Sequence, residues 1–139
     1  MPRETVWMLR AALVHLVAGF ALGAMLLVAK EWPIGLSAGD WLAIHRDVVL
    51  IGWMVQVVLG VAYWILPKHP REPIRGPRWA AIAGAALLNG GLLLGPLARS
   101  AGRPALGYAV IASGALLLAA VLLPRAKSFG AGRPSAKTA

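Results

Sequence analysis

Trp41–Pro67 reads WLAIHRDVVLIGWMVQVVLGVAYWILP. A helix rises ~1.5 Å per residue, so an apolar run of this length crosses a bilayer. His45, Gln56 and Tyr63 interrupt the run, and these are not scattered. At ~100° per residue, His45, Val49, Gly52, Gln56, Gly60 and Tyr63 share one stripe. The other face is Val, Leu, Ile and Trp. In lipid the apolar face meets the acyl chains and the polar stripe turns to the bundle interior. Gly52 and Gly60 leave room on that stripe for a neighbouring backbone or a flat ligand.

The spacing also resembles a known helix. His45, then Gly52-Trp53, then Gly60-x-x-Tyr63 and a closing Pro67 is similar to the second transmembrane helix of subunit I of the haem-copper oxidases and nitric oxide reductases. It is closer still to small four-helix membrane proteins of the subunit I-like type. Those usually carry H-x-H-x-N-x-x-G-W. Here the second His is Asp47 and the Asn is Val49. The resemblance covers this helix well and the preceding one loosely. It implies a haem b cofactor with His45 as an axial ligand.

Composition bounds the rest. The chain has 139 residues, 59% of them hydrophobic, which is too apolar for an ordinary soluble domain and indicates one small membrane domain. It has no cysteine, so disulfides, thiolate sites and covalent haem attachment are excluded. The metal candidates are His15, His45, His69 and the four methionines. Three histidines are too few for the two haems and copper of a complete terminal oxidase.

Four spans are expected, near 6–29, 41–66, 79–97 and 105–123, as an all-α four-transmembrane-helix bundle. The membrane domain is residues 1–124. Residues 125–139 read as a basic, disordered tail. Ser37 with Asp40 reads as the N-cap of the second span. Gly84, Gly91 and Gly95 give the third span a face for close packing. Trp7, Trp32, Trp41, Trp64 and Trp79 fall near span ends as an aromatic belt.

The net charge of +9 sits in loops and tails beside apolar spans. It therefore points to membrane lipid rather than nucleic acid. Arg3, Lys68, Arg71, Arg75, Arg78, Arg125, Lys127, Arg133 and Lys137 gather on the side of the termini. That bias predicts both termini in the cytoplasm, for a multi-pass protein of a prokaryotic inner (plasma) membrane.

His15 lies inside the first span, and two roles stand open for it. It is a metal ligand, or a neutral ring bonded to a carbonyl or to Asn89. By rise alone, His15 and His45 differ in depth by on the order of 15 Å. An intrachain axial pair is therefore poor. A two-fold axis would instead set the His45 of two subunits at equal height across one haem, in a homodimer or within a larger complex. Arg46, Arg99 and Arg103 lie on the side of His45 and suit the propionates of a haem. Asp47, about 200° around the helix from His45, is expected to cap the helix or pair with Arg46.

The expected cofactor contacts are thus His45, His15, Gly52, Gln56, Arg46, Arg99 and Arg103. The expected function is electron transfer or diatomic gas binding. The competing class is a non-haem structural or accessory subunit of a respiratory complex, with His45 used in packing. A small multidrug-type transporter is disfavoured because no acidic residue falls mid-membrane.

Overall fold

A computed structural model describes residues 2–32, 35–66 and 78–130, with side chains placed as far as Leu123. Four helices carry the chain: α1 (Arg3–Glu31), α2 (Ala38–Ile65), α3 (Arg78–Ser100) and α4 (Pro104–Gly130). No strand occurs among the described residues. Each helix contains a stretch long and apolar enough to cross a membrane. Their outer faces expose Leu13, Val17, Phe20, Leu93 and Leu116. Apolar patches of that kind belong in acyl chains rather than water, so this is a multi-pass membrane protein.

Local signals set the helix ends. Ser37 caps α2: its Oγ accepts from Asp40 N at 3.1 Å and donates to Asp40 Oδ2 at 2.7 Å. The α3–α4 turn needs Gly102 at φ +68°, a left-handed conformation that side chains resist. There Gly102 N–H donates to Arg99 O (2.9 Å) and Arg103 N–H to Ala98 O (2.7 Å), which satisfies the last carbonyls of α3. The fourth helix differs from expectation. It runs through Pro124 to Gly130 rather than stopping at the proline. Proline removes one N–H, but it does not end a helix whose other bonds persist. Residues 131–139 of the expected tail, and His69 with its basic loop, lie outside the described residues.

The helices pair as two tight hairpins, α1 with α2 and α3 with α4, and contacts between hairpins are fewer. Glycine makes both pairings close. On α3 and α4, Gly84 faces Gly114, and Gly91 and Gly95 face Gly107. The junction between hairpins is a small core that includes Met8, Tyr63, Ala81, Leu88, Leu92, Ile111 and Leu118. Ion pairs join the hairpins at both ends: Glu4–Arg78 at one, Asp47–Arg99 at the other.

The middle of α2 is not a regular α-helix. Val48–Val55 is wound in wide π-type turns. Wide turns rotate every residue beyond them. The fully buried positions of α2 are Ile44, Val48, Gly52, Gln56, Gly60 and Tyr63. The expected stripe matches from Gly52 onward, whereas His45 and Val49 are only half-buried. So the first half of α2 presents two faces. His45 and Val49 meet α1, while Ile44, Asp47 and Val48 line a crevice with α3 and α4.

Candidate functional site

The histidine stripe of α2 is seated on α1. Each contact places a side chain of one helix against a glycine of the other. Val49 lies over Gly19, with its Cγ2 only 2.6 Å from where a Cβ would stand. The His15 ring lies over Gly52, at 2.7 Å by the same measure, and Met8 lies over Gly60. The His45 ring stands against Gly23, with Cε1 at 3.2 Å and Nε2 at 4.0 Å from the Cβ position. The glycines read from the sequence as space for a ligand thus admit the side chains of α1.

Both imidazoles are tied by one nitrogen. His45 Nδ1–H donates to Gly19 O across the seam at 2.9 Å. His15 Nδ1–H donates to Ala11 O on its own helix at 2.8 Å. A carbonyl only accepts, so in each ring Nδ1 is the donor. The rings are not together. His15 is level with Gly52 and His45 is seven residues up α2, a separation of ~10 Å along the seam. Of the two roles open to His15, the carbonyl bond is present, but on its own helix. Asn89 bonds Ala85 O instead (2.7 Å).

Gln56 is 2% exposed, and its Nε2 donates to Met8 O at 3.2 Å. Arg46 and Arg99 converge on Asp47. Arg46 reaches Oδ1 through Nε (3.2 Å) and Nη2 (3.1 Å), so the expected Arg46–Asp47 pair is present. Arg99 Nη2 reaches Oδ2 at 3.2 Å. Tyr108 completes the cluster. Its hydroxyl donates to Asp47 Oδ2 at 2.9 Å and accepts from Arg99, whose guanidinium lies 5.4 Å from the ring centre. Arg103 stands in the exposed turn, where its backbone closes α3.

Sequence reasoning gave Asp47 a local role and passed over Tyr108. A signal was available: Asp47, Arg99 and Tyr108 all fall near the same ends of their spans. A lone acid at that level among basic residues invites a shared partner.

A haem needs a flat open face beside its ligand nitrogen and, for two ligands, rings facing at one level. The stripe here is closed by α1, and the two imidazoles are two turns apart. The residues of a single chain therefore do not fit a haem held between His15 and His45. Among the described residues, no three His, Cys, Asp or Glu side chains group to hold a metal ion.

Comparison with known protein families, with curated proteins and with solved structures finds no match.

Proposed function

We propose that the chain acts as a structural or accessory subunit of a respiratory membrane complex, without chemistry of its own at the histidines. The observation that carries this is the α1–α2 seam. Both imidazoles pack on a glycine of the facing helix and hold a backbone carbonyl. The respiratory setting rests on the likeness of α2 to the second helix of oxidase subunit I. Ion pairs at both ends of two glycine-packed hairpins suit a rigid scaffold.

One observation favours a second reading. His45 Nδ1–H is held by a carbonyl while Nε2 has no hydrogen bond among the described residues, an arrangement also found in histidines that ligate metals. A haem b held between the His45 rings of two copies would supply one-electron transfer or a gas-binding iron.

Absorption spectroscopy separates the two. Protein purified from haem-replete cells is expected to show no Soret band. A Soret band lost in His45→Ala and kept in His15→Ala would replace the scaffold reading with the second.

The proposed setting is a prokaryotic inner membrane with both termini in the cytoplasm, and the excess of basic residues on the side of the termini supports that orientation. A reporter fused after Ala139 is expected to be active on the cytoplasmic side. Activity only outside would invert the orientation.

A further inference from the structure

Between α1 and α3, with α2 as its floor, lies a cavity of about 430 Å³. It is separate from the imidazoles of His15 and His45, neither of which lines it. Its walls are mainly apolar, and Trp7 at the rim is 70% exposed on the face turned to lipid. The space is that of a small-molecule pocket. A ligand would enter it from the bilayer.

The polar groups of this cavity define what it takes. Glu4 and Arg78 at one end neutralise each other across 2.5 Å, and Arg3 beside them is exposed at the rim, so a charged ligand is not required there. Gln56 lies on the floor, 2% exposed. Its amide cannot be flipped, because Met8 O only accepts and therefore demands the NH₂ group. That leaves Gln56 Oε1 buried and without a hydrogen-bond donor among the described residues. Asn89, also on the lining, has its amide nitrogen fixed on Ala85 O in the same way. One N–H of each amide is thus committed to a backbone carbonyl. The unpartnered atom on the floor is the Gln56 acceptor, which asks for a donor. Ketones, ethers and carboxylates lack one.

We propose that this cavity binds an uncharged lipophile bearing a hydroxyl group, an alcohol or a phenol, which donates to Gln56 Oε1. A buried acceptor left unpaired discriminates strongly against analogues without the donor.

The test uses 4-hexylphenol and its methyl ether, 4-hexylanisole, as matched probes with the full chain in detergent. Binding is read as a saturable rise in thermal midpoint. The phenol is expected to bind at least about tenfold more tightly than the ether. Gln56→Leu removes the orphan acceptor without creating another, so the variant is expected to fold and to bind both probes equally. Ala86→Phe, which fills the cavity from α3, is expected to bind neither. Equal binding of the two probes by the unaltered chain would overturn the proposal. So would a phenol preference that survives Gln56→Leu. The absence of any saturable shift, as for a cavity that holds only water, would overturn it too.

Discussion

Gly114→Leu is expected to open the α3–α4 hairpin. A Cβ at Gly114 would stand 2.6 Å from both Gly84 O and Leu88 N. These are backbone atoms in the middle of a helix, and they cannot swing aside as a side-chain tip does. The helices must separate, and their separation also removes the fit of Ile111 against Gly91 and of Gly107 against Gly95. Overpacking of this kind costs roughly 1–3 kcal/mol, and the backbone contacts put Gly114 at the upper end. Gly91→Leu is expected to behave similarly, because its Cβ would lie 2.8 Å from Ile111 N. Gly90→Leu is the control, with nothing within 4 Å of its Cβ position. Thermal unfolding in detergent measures all three. An unchanged midpoint for Gly114→Leu would mean that α3 and α4 do not pack through glycine.

The second large effect is expected at Asp47. Its carboxylate is the common partner of Arg46, Arg99 and Tyr108, and so links α2 to α3 and α4. Asp47 and Arg99 side chains are each 15% exposed. Asp47→Ala leaves the Arg99 guanidinium in that enclosed place without its counter-charge. The pair is partly buried, and breaking it from one side costs about 1–3 kcal/mol, below the range for fully buried pairs. Arg46 is the contrast. Its side chain is 56% exposed, so Arg46→Ala is expected to change stability by under ~1 kcal/mol. The ranking is the test. If Arg46→Ala destabilises as much as Asp47→Ala, the cluster is a surface charge network and does not fasten the hairpins.

The four spans were legible because each is a long apolar run, and hydropathy alone sets that length. The cap at Ser37 was legible because a hydroxyl before an acidic first turn has few other uses. The stripe from Gly52 to Tyr63 was legible because a regular helix keeps its period. Above Gly52 the period failed. The wide turns of Val48–Val55 involve no proline and no unusual residue, so nothing in VVLIGWMV announces them.

The occupant of the stripe was not legible either. Glycine spacing says that something approaches closely, but a helix and a macrocycle leave the same mark. Only the match of Gly19 to Val49 and of Gly52 to His15 assigns the space to α1. The fourth helix outran the expected span end at 123, before Pro124, for a related reason. Proline predicts a lost hydrogen bond, but the helix ends only if the residues beyond it also leave the helical conformation. The Asp47 cluster joins residues about 50 and 60 positions apart, and local patterning carries no information at that range.

The central claim is that the histidine face of α2 is closed by α1 of the same chain. The absence of cysteine makes it directly testable by cross-linking. A Cβ at Gly19 would lie 3.9 Å from Val49 Cβ, within the ~3.5–4.5 Å that a disulfide spans. This pair also flanks the His45–Gly19 hydrogen bond. The double variant Gly19→Cys with Val49→Cys, oxidised in native membranes, is expected to form an intramolecular disulfide and no linked dimer. The control pair Gly19→Cys with Leu50→Cys, whose second position is 44% exposed, is expected to stay reduced. Failure of the Gly19–Val49 pair to link, or linkage only between two chains, would contradict the account and reopen that face of α2 to a cofactor.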